Sequence, residues 1–490
     1  MNFSTSSTVI CNSLPRQLSA ALLLLAFTAM SGCASFGGIA PTATMISARD
    51  AGASDATSSG PGERWWQVYG DAQLNALIDQ ALLQSPNLKL AEARIRRAQS
   101  AAGIANAASK LQIGGSIDST YQRFPEHGLL PPPFAGQRDS INNANLNLGL
   151  DLDFFGRNRA ALDAALGQVA AAKADADAAR VVLAANIAKT WFNLARLVEQ
   201  RNVANATLAL REQTRKLVQQ RVANGLDTNV ELRQAEGGLP GTRLEIAQLD
   251  EQIALMRNAL AALIGAAPEV THNLAPQLAA AREQALPTVI PADLVGRRAD
   301  IAAARARVNA ASREIDVTKA EFYPNVNLIA FAGFGSIGYA NWFNAGSQQY
   351  GIGPAIRIPI FAGDRLRSTL AGKDAEYDAA VESYNQVLLD AVRDVADQIA
   401  SSQSLVIQLK EQRDTQAAAE SAYELALKRY QAGLTNYLIV LTAENAVLAQ
   451  RRLATDLKAR ALELNVNLAR ALGGGYSDAS GNALTKAAAK

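Results

Sequence analysis

The chain contains the same helix-interrupting motif twice, at positions 208 residues apart. Residues 221–229 read RVANGLDTN and residues 429–437 read RYQAGLTNY, so each copy has Arg, three residues, Gly, Leu and a polar pair. Each copy interrupts a long stretch of helical character, and Gly225 or Gly433 permits a backbone conformation that a helix cannot continue through. The repeat therefore predicts two similar halves, each with a helical hairpin whose tip lies at the motif.

The segments around the two motifs follow the same order. Each half is expected to have a shorter helix, two strands, a long helix that runs into the motif and a return helix. The long helix 157–224 would measure about 100 Å, and the shorter and return helices together have nearly that length. Helices are expected at about 71–84, 86–110, 157–224, 300–321 and 364–432, with return helices to about 265 and 473. The predicted boundaries are repeat 1 at 65–267, a proline-rich connector at 268–293, repeat 2 at 294–473 and a flexible C-terminal tail at 474–490.

Four stretches alternate between apolar and polar residues, as strands with one buried face do. They lie at 111–122 and 144–154 in the first half, with a loop at 123–140, and at 325–335 and 350–360 in the second. The third is less regular because Ile329 and Phe331 fall on its polar side. These strands have the length and alternation of outer-membrane strands, which need about 9–11 residues. The alternative is the edge of a soluble sandwich.

Four strands are too few to close a transmembrane barrel, because bacterial barrels begin at about eight. The chain is therefore expected to oligomerise. Two copies would give a lumen filled by side chains, whereas three would give twelve strands and an open lumen, which suits a conduit. Charged side chains on the polar strand faces would line that lumen: Asp118, Asp151, Asp153 and Arg357. They could tune which solutes pass. The preferred interpretation is that they only hydrate the wall.

The N-terminus has the features of a secretion signal. Arg16 precedes the apolar run 18–30, which is too short to span a bilayer and is followed by Ser31-Gly32-Cys33. Small residues before a cysteine resemble a bacterial lipobox, which predicts a signal peptide at 1–32, an acylated Cys33 and a lipid-anchored flexible tether at 33–64. The alternative is an ordinary cleaved signal with an incidental cysteine.

Composition argues against several functional classes. The 47 basic and 45 acidic residues nearly balance, which gives no electrostatic case for nucleic acid. His127 and His272 have no partners at metal-ligand spacing, so no metal site is expected. No phosphate-binding loop, nucleophile–base arrangement or convincing carboxylate pair occurs. The chain is therefore expected not to be an enzyme and to need no cofactor.

Several stretches, in this order, resemble the TolC/OprM-type outer membrane factors, in the lipoprotein (NodT-like) branch of efflux outer-membrane proteins. They read RWWQVYGDAQLNALIDQALLQSPNLKLAEARIRRAQ (64–99), RRADIAAARARVNAASREIDVTKAEFYPNVNL (297–328), KRYQAGLTNYLIVLTAENAVLAQRR (428–452) and ALGGG (471–475). The resemblance implies an α+β membrane protein with a two-fold internal repeat. Long antiparallel helical hairpins would form an α-barrel tunnel, and four β-strands per chain would contribute to a trimeric 12-stranded transmembrane β-barrel.

The resemblance also implies a place and partners. The homotrimer would sit in the outer membrane, anchored in its lipid, and extend into the periplasm. A periplasmic adaptor (membrane fusion protein) would dock on the tip and link it to an inner-membrane transporter of the RND type. Three chains would present six tips, which suits a hexameric adaptor ring.

Three positions depart from the family pattern. Ala299 stands where Pro is usual after the arginine pair, and Thr435 stands where relatives often carry an acidic residue, which puts an acidic ring at the constriction in doubt. The stretch GGLPG (237–241) is expected to kink the first return helix, because an interior proline costs about 3 kcal/mol.

The tips are the candidate functional region, for gating and for docking of the adaptor. Arg221 and Arg429, one turn before each break, would join a cluster around the constriction made of Asp227, Tyr430, Thr435, Asn436 and Tyr437. The alternative is that each arginine only pairs with carbonyls at its helix C-terminus.

Three functions compete. The first is the exit duct of a tripartite efflux pump, which passes small molecules out of the cell and is gated at the tip. The second is the exit duct of a type I protein secretion system, which uses the same fold. The third is a lipid-anchored periplasmic coiled-coil scaffold without a pore, against which the alternating strands argue.

Overall fold

The computed structural model describes residues 35–52, 61–278 and 298–476. The predicted signal peptide, Cys33, most of the connector and nearly all of the C-terminal tail lie outside these residues. The chain divides into two compact units. Of the described residues, the sheet unit holds 35–44, 98–168 and 307–381, and the helical unit holds the rest.

The sheet unit is built on four antiparallel strands in the order β1-β2-β3-β4. The strands are β1 (Gln112–Arg123), β2 (Arg138–Asp151), β3 (Asn325–Ile337) and β4 (Gln348–Arg357). Each half of the chain supplies one hairpin, and β2 pairs with β3 to join them. The predicted pair of repeated hairpins is therefore present, and it forms one sheet.

The register confirms that one face of the sheet is apolar. Ile113 pairs with Leu148, which is followed across the sheet by Ala330 and Ile352, and directly opposed residues share a face. Ile117 and Ile352 of this face are 77% and 76% exposed. A single chain thus presents an apolar surface that none of its described residues covers.

The opposite face is mostly polar, with a few apolar residues that include Ile329 and Phe331. The side chains of Asn145 and Gln349 meet there through a hydrogen bond of 2.8 Å. Phe331, which blurred the alternation of β3, lies over Gly351, where an added Cβ would come within 2.8 Å of its ring. The glycine in the neighbouring strand thus makes room for an aromatic ring on the polar face.

The strand ends differ from those expected. β1 and β2 pair as far as Arg123 and Arg138, so the first residue and the last three residues of the predicted loop are strand. The alternation missed this part because residues 138–143 are polar except for Ile141. β2 ends at Asp151 instead of 154, and β4 ends at Arg357, two residues before Pro359, which has no N–H to give to a ladder.

The described chain contains seven α-helices, close to the expected positions. They are α1 (Ala72–Gln84), α2 (Pro86–Ala108), α3 (Arg157–Ala223), α4 (Asn229–Ile264), α5 (Ala299–Ala320), α6 (Gly363–Gln431) and α7 (Tyr437–Ala471). With 67 and 69 residues, α3 and α6 are each about 100 Å long. None of the helices in the described part of the chain has both the length and the hydropathy to cross a bilayer.

The core of the helical unit combines large aromatic residues with alanines. Trp191 and Phe192 of α3 are each 1% exposed, and Phe192 meets Tyr69 edge to face at 4.9 Å. The indole N–H of Trp191 donates to Asp71 at 2.8 Å, and the other carboxylate oxygen of Asp71 caps α1. One aspartate thus begins a helix and also fixes the largest core residue.

The stretch predicted as a flexible tether is packed where the structure describes it in the sheet unit. The ring of Phe36 meets Phe322 at 5.5 Å, and Ile39 packs in the same cluster. Asp378 of α6 accepts hydrogen bonds from the backbone of Thr42 and Ala43, each at 3.0 Å. The prediction of flexibility is wrong for 35–43, because composition alone did not reveal these partners.

Helix α4 runs unbroken through Pro240, so the GGLPG stretch does not end it. The expected kink at this stretch stays a prediction. Polar side chains support the backbone here. The carbonyl of Gly238 accepts hydrogen bonds from Thr242 Oγ1 at 3.0 Å and from Arg211 Nη1 at 3.2 Å. These bonds support the turn around Gly238, whereas the carbonyl that loses its helical partner to Pro240 is that of Glu236.

Candidate functional site: the two helical tips

The first tip is a tight left-handed helix end. Gly225 has φ of 72°, and the Leu226 N–H donates to the carbonyl of Arg221 at 2.9 Å. This six-to-one bond is the mark of a Schellman motif, whose left-handed position favours glycine. The next helix begins at once, because Thr228 caps α4 and forms a capping box with Glu231.

The second tip repeats this backbone. Gly433 has φ of 75°, and the Leu434 N–H donates to the carbonyl of Arg429 at 2.8 Å. Asn436 caps α7 by accepting the N–H of Ile439 at 3.3 Å. The predicted helix breaks at both glycines are therefore confirmed.

The side chains of the two tips form one ionic cluster, which we call the tip lock: Arg221, Asp227 and Tyr430. Arg221 Nε donates to Asp227 Oδ2 at 2.9 Å, and Nη2 donates to Oδ1 at 3.4 Å. The Tyr430 hydroxyl donates to the same Oδ2. The arginine side chain is 12% exposed and the aspartate 9%. The tip lock therefore ties the first hairpin to the second through a buried carboxylate.

The arginine of the tip lock also lies over the ring of Tyr430, with its Cζ 4.6 Å from the ring centre. Burial favours a raised pKa for Asp227, but the hydrogen bonds from Arg221 and Tyr430 and the charge of Arg221 hold that pKa below its usual value. Burial and the bond to Asp227 raise the pKa of the Tyr430 hydroxyl. Asp227 is thus held ionised and Tyr430 is held as a donor.

An apolar layer supports the tip lock. Tyr430 is fully buried and Tyr437 is 3% exposed, with ring centres 5.8 Å apart. Burial raises the pKa of Tyr437 to about 12. Residues from four helices complete this layer: Val218, Ala235, Ala426 and Val440.

The structure brings together only part of the predicted cluster. Arg429 is exposed, whereas its counterpart Arg221 is engaged by Asp227 and not by helix-end carbonyls. Asn436 serves as a helix cap, and Thr435 occupies the position that corresponds to Asp227. The signal in the sequence was the single aspartate, which gives only one of the two arginines a partner.

Sequence reasoning missed an apolar feature of the tips. Leu226 and Leu434, at equivalent positions, are 63% and 76% exposed. The first turns of the two return helices add further exposed apolar side chains: Val230, Leu438 and Ile439. The repeated leucine in the motif could have indicated them.

The residues predicted to line a lumen divide into two groups. Asp151 lies beside the base of β3, where it accepts hydrogen bonds from Asn325 at 3.0 Å and Arg157 at 3.3 Å. Asp153 lies beyond β2, and its carboxylate caps α3 through the N–H groups of residues 158 and 159. With Arg357, both line a cavity of about 550 Å³.

Asp118 belongs to a different part of the sheet. It pairs with Asn143, eight residues along β2 from Asp151, which corresponds to roughly 27 Å. It shares the polar face of the sheet with Asp151, but the two carboxylates do not form one site.

Two repeated halves, a four-stranded sheet with an uncovered apolar face and matched helical tips define a repeat-built outer-membrane channel subunit. Residues 77–266 and 290–474 match the family model described as outer membrane efflux protein, and the chain belongs to that family.

Its relatives agree with this assignment. It is 32% identical over 433 residues to the multidrug resistance outer membrane protein MdtP of Escherichia coli K12, which covers 86% of this chain and 88% of that one. It is 35% identical over 356 residues to the fusaric acid resistance protein FusA of Burkholderia cepacia, with 71% and 67% covered. The crystal structure of the outer membrane protein VceC of Vibrio cholerae matches with a TM-score of 0.80 and 37% identity, over 85% of this chain and 100% of that one.

These findings confirm the expected fold of TolC-like channels, the location in the outer membrane and the role in efflux. The family is one of transport proteins and not of enzymes. In the part of the chain that the structure describes, no group of three potential metal ligands comes together.

Proposed function

We propose that this chain, as a trimer, is the exit duct of a tripartite efflux pump and that the tip lock keeps the duct closed at its periplasmic end. The observation that carries the gating role is the buried Arg221–Asp227–Tyr430 cluster. It joins two hairpins that have separate backbone turns, so the hairpins cannot part without breaking it.

The cargo would be small organic molecules. Relatives are described by multidrug resistance, by fusaric acid resistance and, in Pseudomonas aeruginosa, by pyoverdine export. These descriptions favour efflux over a type I protein secretion duct. Membership of an efflux family speaks against the scaffold without a pore.

The trimer is supported by the sheet. One chain leaves the apolar face around Ile117 and Ile352 uncovered, and such a face suits lipid. Three copies would close twelve strands, with that face outward and the polar face around Asn145 and Gln349 toward a lumen. Asp118, Asp151 and Arg357 would then hydrate the lumen wall.

Docking of a periplasmic adaptor is supported by the exposed leucines. Leu226 and Leu434 are presented by the same turn twice per chain, hence six times per trimer. An adaptor ring with six matching apolar pockets could bind these leucines. That adaptor would connect the duct to an RND-type inner-membrane transporter.

Lipid anchoring through Cys33 is supported by the segment that follows it. The guanidinium of Arg367 donates to the carbonyl of Ser35, and Phe36 is packed against Phe322. Cys33 itself lies outside the described residues, but two residues of chain reach at most about 7 Å from Ser35. Acylation there would fix the lipid close to the sheet unit.

Single-channel recording in planar bilayers tests the duct and its gate. The purified protein should give small, rare openings, and Asp227→Ala should raise the open fraction at least tenfold because it removes the shared partner of Arg221 and Tyr430. The matched control is Asp316→Ala, since Asp316 forms only an exposed pair with Arg313.

The proposal fails if neither protein conducts and neither shows heat-modifiable migration on a gel. If the open fraction is unchanged by Asp227→Ala, the duct stands but the gate does not lie at the tip lock.

A further inference from the structure

A second polar cluster lies in the helical unit, about 15–20 Å along the helices from the glycines of the tips. Arg211 of α3 is at its centre, and Nε donates to Glu444 Oε1 of α7 at 2.6 Å. Nη1 donates to Thr242 Oγ1 at 2.9 Å and Nη2 donates to Asn445 Oδ1 at 3.1 Å. Together with the bond to the carbonyl of Gly238, the guanidinium joins helices α3, α4 and α7.

Only one of the two carboxylate oxygens of Glu444 in this cluster accepts a hydrogen bond. Glu444 is 2% exposed, and its second oxygen, Oε2, is buried without a hydrogen-bond partner in the described structure. Buried carboxylate oxygens nearly always have partners, because desolvating the charge is costly. An acceptor of this kind therefore requires an explanation.

A buried donor without a partner lies close by. The hydroxyl of Tyr423, on α6, likewise has no hydrogen-bond partner in the described residues. Tyr423 packs against the apolar cluster that contains Val440, one helical turn before Glu444 on α7. Burial raises the pKa of Tyr423, and the negative charge of Glu444 raises it further. The two helices of the second hairpin thus hold one unused donor and one unused acceptor.

We propose that Glu444 is a further gating residue, which is held by Arg211 in the closed duct and gains the Tyr423 hydroxyl as a partner when the hairpins rearrange. The inference rests on the proposed gated duct, and its test uses the proposed tip lock to raise the open fraction. The closed arrangement leaves one donor and one acceptor unsatisfied, and the open arrangement satisfies both. The cluster therefore lowers the free-energy difference between two packed arrangements of the same helices.

The phenol supplies the sharpest test because Tyr423→Phe removes only a hydroxyl. In the Asp227→Ala background, where the tip is unlocked, this change should lower the open fraction about tenfold, the effect of one hydrogen bond to a charged acceptor. Tyr384→Phe, which removes a buried phenol from the same helix far from Glu444, is the matched control. With Glu444→Gln also present, the effect of Tyr423→Phe should shrink to about threefold, because a neutral acceptor forms a weaker bond.

Equal open fractions for Tyr423→Phe and Tyr384→Phe would overturn the proposal, and so would an effect that Glu444→Gln leaves undiminished. If neither wild type nor Asp227→Ala conducts and neither shows heat-modifiable migration, it is the proposed duct that fails. Thermal unfolding then tests the closed arrangement separately. Arg211→Met should lower the unfolding temperature, and Tyr423→Phe should leave it unchanged. A matching loss in Tyr423→Phe would mean that the hydroxyl is already bonded in the closed state.

Discussion

The two tips have the same backbone and different chemistry. Both end a helix of nearly 70 residues at a left-handed glycine, and in both the following leucine N–H closes a six-to-one bond to the carbonyl of an arginine. The arginine side chains differ, since Arg221 is buried against Asp227 whereas Arg429 is exposed. The cause is one position, at which the first tip has Asp227 and the second has Thr435.

The repeat thus supplies two turns with the same backbone. The difference between Asp227 and Thr435 gives these turns different side-chain chemistry. The first tip contributes the charges, and the second contributes the aromatic ring and hydroxyl of Tyr430. A symmetric pair of charged tips could not bind each other in this way. The asymmetry is therefore what joins the two hairpins.

Replacing the aspartate should have the largest effect on this asymmetry. Asp227→Ala leaves the buried Arg221 without its partner, and we expect a loss of about 3 kcal/mol in the free energy of unfolding. The equivalent change Thr435→Ala should cost no more than about 0.5 kcal/mol. Thermal and chemical unfolding of the detergent-solubilised protein, followed by circular dichroism, measures both. Similar losses would mean that the tips are equivalent after all.

Protonation of Asp227 at low pH should remove part of the stability that Asp227→Ala removes. The pKa of Asp227 is below its usual value in the folded protein, so the stability that it contributes is complete above the unfolded pKa of about 3.9. That stability is lost as the pH falls through the lower, folded pKa. Wild type should therefore lose stability below about pH 4 more steeply than Asp227→Asn does. Parallel acid profiles of the two proteins would contradict the assignment.

The two arginines should respond very differently to the same substitution. Arg221→Met leaves the carboxylate of Asp227 with only the Tyr430 hydroxyl, and a loss of about 2 kcal/mol is expected from an unsatisfied charged acceptor. Arg429→Met alters an exposed side chain and should change stability by less than about 0.5 kcal/mol. The difference in unfolding temperature between the two variants measures the asymmetry directly.

The glycines test the part of the comparison that should be symmetric. Gly225→Ala and Gly433→Ala each place a Cβ at a positive φ, and no neighbour lies within 4 Å of either Cβ. Each variant should therefore lose only about 1–2 kcal/mol in the free energy of unfolding, from the strained backbone conformation. The loss should be the same at both tips. Clearly unequal losses would show that the two turns are not the same structure.

The helix caps should give the smallest difference. Thr228→Ala and Asn436→Ala each remove a side-chain acceptor from the start of a return helix, at a cost of about 1 kcal/mol. Thr228 also forms a capping box with Glu231, so Thr228→Ala should lower the free energy of unfolding slightly more than Asn436→Ala does. Equilibrium unfolding of the two variants side by side decides the order.

Regular patterning predicted most of the fold. The helices ended within a few residues of the expected positions, because Gly225, Gly265 and Gly433 mark their ends locally. The strand faces followed from alternation. Strand ends were less accurate, because the polar pair of Arg123 and Arg138 carries no alternation signal.

The sequence by itself determined the repeated turns, since a glycine after a long helix and a capping residue before the next one act through bonds within a few residues. Only the tertiary structure decided that Tyr430 completes the tip lock, because its hydroxyl comes from the other hairpin, 203 positions away from Asp227. It also decided that Pro240 lies in a continuous helix, where Arg211 from α3 bonds the carbonyl of Gly238. Such partners are distant along the chain, and only packing brings them together.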